Sequence, residues 1–173
     1  MTTALIRRVR ADEWEALRDV RLRALAEAPH AFSTTLAEAE ARADGEWRDA
    51  AARGAAGDRW VTFVAEASGR LVGMASGHYP DERHRTLDDP AIPQLMQMWV
   101  APEARRSGVG RALVGAVSRW LAQRGSAVVR LGVNAADAGA VAFYASLGFH
   151  DTGRRESIDG RFVAMEMEAP AAD

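Results

Sequence analysis

Two glycines one residue apart, Gly108 and Gly110, sit in the segment Val100-Ala-Pro-Glu-Ala-Arg105-Arg106-Ser107-Gly108-Val109-Gly110-Arg111, between an apolar run and an amphipathic one. Where a strand turns into a helix, consecutive backbone N–H groups point outward and the helix dipole adds partial positive charge. Glycine at such a turn keeps side chains out of a phosphate's way and permits positive φ. Arg105, Arg106 and Arg111 add charge-assisted donors, so the segment suits a diphosphate. It matches neither common nucleotide loop: no Gly-Lys-Ser/Thr follows, and the third glycine of the dinucleotide fingerprint is missing. The same residues also read as an ordinary strand–helix turn with solvated arginines. A second candidate is Tyr144, in Ala140-Val-Ala-Phe-Tyr144-Ala-Ser-Leu-Gly-Phe149. A phenol can donate a proton, although this one taken alone reads as a core aromatic between Val141 and Leu147.

The elements that must position these groups follow from periodicity and punctuation. Ala4–Val9 reads as a strand, and Asp12 can cap a helix carrying Trp14, Leu17, Val20, Leu22 and Leu25 as far as Pro29. A second helical stretch, Ser33 to Ala52, ends in the flexible turn Gly54–Gly57. Trp60–Ala67 and Arg70–His78 form a hairpin through Ser68-Gly69. Tyr79–Pro93 is a polar loop with three prolines, and Gln94–Val100 is an apolar strand stopped by Pro102. Gly108–Arg124 is a helix with Val109, Leu113, Val117, Trp120 and Leu121 on one face and Gly125 as its stop. Val128–Val133 is a buried strand, and Asp137 caps a helix ending near Leu147-Gly148. Arg161–Glu168 closes the chain as a strand, and Phe149–Arg154 is a further short strand candidate. The expected order is βααβββαβαβ(β): one mixed α/β domain over residues 1–173, a central sheet flanked by helices.

Composition narrows the function classes. With 173 residues and 48% hydrophobic content the chain suits one soluble domain. No cysteine is present, which excludes disulfides, thiolate metal sites and a cysteine nucleophile. The net charge of -2 provides no basic field for nucleic acid, and every Lys+Arg residue is arginine. Met1 to Arg10 lacks the apolar run of a signal peptide, and no stretch is apolar enough to cross a bilayer. A cytoplasmic protein without membrane or nucleic-acid partners is expected. His30, His84 and His150 fall in loops with no metal-ligand spacing, so no metal is expected.

The pattern Val-x-x-x-x-Arg-x-x-Gly-x-Gly after a strand resembles the acetyl-CoA signature of the GCN5-related N-acetyltransferase (GNAT) superfamily, and Ala140–Phe149 resembles its second motif. The two motifs stand in the family order and cover Gln94 to Phe149. The resemblance implies an N-acetyltransferase fold that moves an acetyl group from acetyl-CoA to a primary amine. It implies that backbone groups of Met98, Trp99 and Val100 receive the pantetheine arm and the oxyanion. Main-chain N–H groups across Arg106, Ser107, Gly108, Val109, Gly110 and Arg111 would hold the pyrophosphate, with Arg105 nearby, and Tyr144 would be the general acid. The family commonly has Asn seven residues before this tyrosine; here Asp137 stands there, and Asn134 lies just upstream. Either could touch the coenzyme.

The general base is open. Relatives often place a Glu on a central strand, but Gln94–Trp99 holds no carboxylate, leaving Glu66, His78 or water. The acceptor side would be built from residues 10–57, including Arg21–Arg23 and Phe32, and from residues 79–93. Trp14, Trp47 and Trp99 are core residues or pocket walls. A small-molecule amine such as a polyamine, amino acid or aminoglycoside-like compound is the expected acceptor. A protein α-amine or lysine, or a non-catalytic acetyl-CoA-binding role, are the alternatives. Lacking lysine, such an enzyme has no lysine side chain of its own to modify. The resemblance also implies a homodimer, in which the C-terminal strand either pairs with another chain or finishes the sheet.

Overall fold

The computed structural model describes residues 4–80 and 93–171. The elements are β1 (Leu5–Arg8), α1 (Trp14–Glu27), α2 (Leu36–Glu40), α3 (Asp44–Ala56), β2 (Trp60–Ala67), β3 (Arg70–His78), β4 (Gln94–Val100), α4 (Val109–Ala122), β5 (Val128–Asn134), α5 (Ala138–Ala145), β6 (His150–Ile158) and β7 (Phe162–Pro170). The seven strands form one sheet in the order β1-β2-β3-β4-β5-β7-β6.

Most boundaries follow the periodicity, and the departures have local causes. α1 starts with Glu13, not Asp12, at its cap position. The Glu13 carboxylate accepts the Arg10 N–H at 2.9 Å and the Arg7 guanidinium, which fixes the entry to the helix. The single helix expected over Ser33–Ala52 is two: Thr35 caps α2 in a reciprocal capping box with Glu38, and Glu46 takes the Ala43 N–H at 2.9 Å to restart the chain as α3. α3 runs through Gly54 and stops only at Gly57, at φ +69. Gly54 is needed for contact, since a Cβ there would lie 2.8 Å from Thr62 Oγ1. The strand expected at Phe149–Arg154 is longer, His150–Ile158. β7 lies between β5 and β6, so both its edges are paired and it finishes the sheet internally; the outer edge belongs to β6. Residues 81–92, most of the expected loop, and with them His84, lie outside the described residues.

Helices cover both faces. A Cβ on Gly77 would meet Val117 and Trp120, so that face of β3 carries α4. The alternate residue Ser76 points the other way, its hydroxyl 3.0 Å from that of Thr62, which itself packs on Gly54 of α3. α1 packs on α3 and on β3 on this second face. The core is continuous between the layers: Val20, Leu25, Val61, Val64, Met74, Leu113, Val117, Leu121 and Val129 are almost wholly buried. Trp47 and Trp99 belong to this core, and Trp14 packs half-buried on it.

The sheet is irregular where β4 meets β5. These strands run parallel, and the described residues pair them only at Gln94 and Arg130. Gln97 adopts φ +55, and the β3–β4 register shifts around it. A non-glycine residue at such a φ inside a strand marks a bulge that bends the strand out of its ladder. β4 therefore peels away from β5 beyond its first residue, leaving an opening through the sheet.

Candidate functional site

The turn after β4 is built as a phosphate cradle requires. Gly108 occupies the cap position of α4 at φ +85, with no side-chain cap, and a Cβ there would meet nothing within 4 Å. The first i→i−4 bond of the helix runs from Ala112 to Gly108, so the N–H groups of Val109, Gly110 and Arg111 precede it. No acidic residue stands in the first turn. Arg106 also takes a positive φ, +59, and Ser107 Oγ donates to the Ala104 carbonyl at 2.6 Å, tightening the bend. The two glycines have different reasons. Gly108 needs its φ; Gly110 needs its size, because a Cβ there would lie 3.1 Å from Phe143 and 3.2 Å from Met98.

The arginines separate as well. Arg106 and Arg111 are exposed. Arg105 is committed to the protein: its Nε donates to the Val100 carbonyl at 3.0 Å and its Nη2 to Glu27 at 2.7 Å. Glu27 also accepts the Trp99 indole N–H at 3.0 Å, and these bonds hold its carboxyl below the usual carboxylate range. Arg105 thus shapes the turn from behind.

Beside the turn, a small cavity of about 110 Å³ fills the opening between β4 and β5. Met98, Asn134, Asp137, Ala140 and Tyr144 are among its walls. The Ala101 N–H bonds to Val72 on β3, so the preceding residue, Val100, turns its backbone N–H away from β3, while its carbonyl is taken by Arg105. By the same alternation Met98 turns its own N–H to that side, where the opening lies. Tyr144 is buried between the rings of Phe143 (5.2 Å) and Phe149 (5.8 Å). Burial, helped by the charge of Asp137, pushes its phenol well above the usual range. It is a neutral O–H at any physiological pH and no base.

Asn134 and Asp137 both reach the small cavity with their polar atoms engaged. Asn134 donates to the His30 carbonyl at 3.0 Å and accepts the Ala136 N–H at 3.0 Å. Asp137 caps α5 by accepting the Ala140 N–H at 2.9 Å, and its other oxygen is 3.4 Å from His30 Nε2. Together they clamp the Pro29–Ala31 turn to the end of β5.

On the α1 side the opening widens into a cavity of about 850 Å³, within the range of small-molecule sites. Ala31, Phe32, Gln97, Leu131 and Gly132 line both spaces, so the two cavities adjoin at the opening between β4 and β5. The charged walls of the larger one are Arg21, Arg130, Arg154 and Arg155 against Glu156 and Glu166. His78 lies on this wall, tilted over Trp60 at 5.6 Å; burial first, then Arg53 and Arg59, lower its pKa and favour neutral imidazole. Glu66 lines neither cavity. It sits at the other end of the β2–β3 hairpin, 2.8 Å from Arg7 Nε.

One participant, Gln97, was not singled out by sequence reasoning, and the burial of another, Arg21, was not foreseen. Gln97 is held at its bulge by a buried relay in which Trp60 Nε1 donates to Thr62, Thr62 contacts Ser76, and Ser76 donates to Gln97 Oε1 at 3.1 Å. A lone polar residue in an apolar strand was its only trace. Arg21, one of the residues expected on the acceptor side, is 4% exposed, a burial that nothing in its sequence signals. Among the described residues no group of three or more His, Asp or Glu could hold a metal, and no helix is long and apolar enough to cross a membrane.

The fold is an open seven-stranded sheet with a bulged fourth strand and a glycine-capped helix beside the opening. The chain belongs to the acetyltransferase (GNAT) family, whose pattern it matches over residues 14–149. It is 33% identical over 138 residues to the mycothiol acetyltransferase of Pseudarthrobacter chlorophenolicus, a match covering 80% of this chain and 38% of that protein. The chain thus spans about two fifths of the length of the mycothiol acetyltransferases it matches. It is 32% identical over 118 residues to the [ribosomal protein bS18]-alanine N-acetyltransferase of Escherichia coli K12, covering 66% of this chain and 74% of that one. Its fold is that of the PaiA N-acetyltransferase of Thermoplasma acidophilum, crystallised with coenzyme A: TM-score 0.72, 18% identity, covering 97% of this chain and 99% of the other.

Proposed function

We propose that this chain transfers an acetyl group from acetyl-CoA to the primary amine of a small molecule, by direct attack within a ternary complex. The observation that carries the reading is the pair of adjoining cavities. The small cavity shares walls with a larger, acceptor-sized cavity on the α1 side, and its wall residue Met98 abuts Gly110 of the glycine turn, so a donor laid from that turn along β4 can meet an acceptor in the larger cavity. The residues fit the coenzyme: Gly108 leaves its space open, and the first turn of α4 offers uncapped N–H groups without a competing carboxylate.

The thioester supplies an activated acetyl group; the chain positions it and handles protons. Backbone N–H groups of Met98 and Val100 face the opening, where they can receive pantetheine as an added strand and polarise the acetyl oxygen. As the amine's N–C bond forms and the C–S bond breaks, the sulfur departs toward Tyr144. A thiol has a pKa near 8.5 and this phenol is a weaker acid, so Tyr144 acts chiefly by donating a hydrogen bond to the sulfur as charge builds. The proton lost by the amine passes through cavity water to His78, which burial keeps neutral and able to release that proton again readily to solvent. Glu66, paired with Arg7 away from both cavities, takes no part.

A second reading, acetylation of a protein α-amine, is favoured by the 32% identity to the bS18-alanine enzyme. Thiol release from acetyl-CoA, measured across a panel of small amines and short peptides, tests both. Turnover with free amines supports the first reading, peptide-only turnover the second, and no thiol release with any acceptor refutes catalysis.

A further inference from the structure

Arg21 lies on α1 at 4% exposure, and its Nε and Nη1 are buried without a hydrogen-bond partner among the described residues. The other two arginines of the helix are matched. Arg18 pairs with Asp44 at 3.3 Å, and Arg23 reaches Glu103 and the Leu71 carbonyl, each at 3.0 Å. Arg21 instead stacks on the ring of Phe32, its guanidinium carbon 4.5 Å from the centroid, and forms part of the wall of the larger cavity. Burial, with a smaller contribution from Arg42, pulls its pKa down to about 10, which still leaves it charged near neutrality.

An unpaired buried charge is costly. Nε and Nη1 stand on different edges of the guanidinium, so each can give one hydrogen bond to a carboxylate oxygen, and Phe32 fixes the plane in which they lie. The wall carries both signs, with Arg130, Arg154 and Arg155 against Glu156 and Glu166. Arg130 is held by Glu168 and Arg155 by Asp151, and Arg154 lies exposed, so Arg21 is the buried cation of this wall whose donors are open to an anion from outside.

We infer that Arg21 receives the carboxylate of the acceptor, and that the substrate is an amine carrying a carboxylate, as an amino acid does. This rests on the acetyltransferase reading and narrows it. Phe32 lines both cavities, so an acceptor anchored at Arg21 can direct its amine along Phe32 toward the opening beside Tyr144. Near Arg21 itself, a second cation on the acceptor is disfavoured.

The test compares amino acids with their carboxamides in the thiol-release assay, using wild type, Arg21→Lys and Arg21→Met. Wild type should prefer the free carboxylates. Arg21→Met should lower kcat/KM for them by about 10- to 100-fold while leaving the carboxamides unchanged, as expected for losing a charge-assisted pair. Arg21→Lys should recover part of the loss. Equal losses for acid and amide would show a merely structural arginine and overturn the inference, as would a wild type that turns over other amines and ignores the carboxylate. A second readout does not need catalysis. Melting temperature should rise with N-acetylated amino acids in wild type and not in Arg21→Met, whereas equal shifts, or none in either, would overturn it. Absence of thiol release with every amine, beside a wild-type-only melting shift, would refute the acetyltransferase reading while leaving Arg21 as a carboxylate site.

Discussion

Arg105 donates to Glu27 across 2.7 Å and so ties the turn that precedes α4 to the last turn of α1, 78 residues earlier in the chain. Because the pair is part-exposed, it contributes about 1 kcal/mol or less. Glu27→Ala should therefore raise the KM for acetyl-CoA a few-fold, although Glu27 is not itself expected to touch the coenzyme. Arg105→Ala should do the same, and the double variant should be no worse than the more severe single one. Additive losses in steady-state kinetics would mean that Arg105 meets the phosphates directly.

The two glycines of the turn should fail in different assays. Gly108→Val forces a β-branched residue to φ +85 and fills the open space, so coenzyme A affinity measured by calorimetry should fall at least about tenfold. Gly110→Val drives its side chain into Phe143 and Met98, and melting should fall by about 2–10 °C. Unchanged coenzyme affinity in Gly108→Val would remove the phosphate assignment.

Tyr144→Phe keeps the ring between Phe143 and Phe149 and removes only the O–H. The variant should melt with wild type. Its kcat should drop by about 10- to 100-fold, the low end for a general acid, because this phenol is a weaker acid than the thiol it serves. A rate unchanged across the pH range would exclude Tyr144 from the chemistry.

His78 makes stability and activity depend on pH in a stated direction. Its folded pKa is depressed by burial, so its contribution is present above the unfolded value of about 6.5 and is lost as pH falls and the unfolded chain takes up the proton first. Urea unfolding of wild type and His78→Gln at about pH 7.5 and about pH 5.5 should show a steeper loss in wild type. The acidic limb of kcat/KM should lie below the ordinary histidine range and disappear in His78→Gln. Identical pH profiles in the two proteins would exclude His78 as the base.

Local signals carried most of the architecture. The Ser68-Gly69 hairpin, the amphipathic face of α4 and the Asp137 cap are each written within a few residues, and they fold where periodicity places them. The break between α2 and α3 was missed because alanine-rich sequence supports helix on both sides, while the decision lies in the carboxylates of Glu38 and Glu46 turning back to cap. The glycine turn before α4 was legible because the positive φ of Gly108 is a local property, whereas the size limit at Gly110 and the Arg105–Glu27 bond come from residues distant in the chain. The acceptor side was not. The isolation of Arg21, the pinning of Gln97 by Ser76 and the engagement of Glu66 by Arg7 all depend on residues brought together from separate strands and helices.

The one described pair that joins β4 to β5, Gln94 with Arg130, has a consequence for the life of the protein. Beyond it, strands β1 to β4 and strands β5 to β7 share no ladder, and a coenzyme lying along β4 would supply the missing rungs. Occupancy then becomes structural support, and resistance to heat and proteolysis follows the concentration of the coenzyme. A cell depleted of coenzyme A would carry a looser form of this protein, with a shorter lifetime, than a well-fed one.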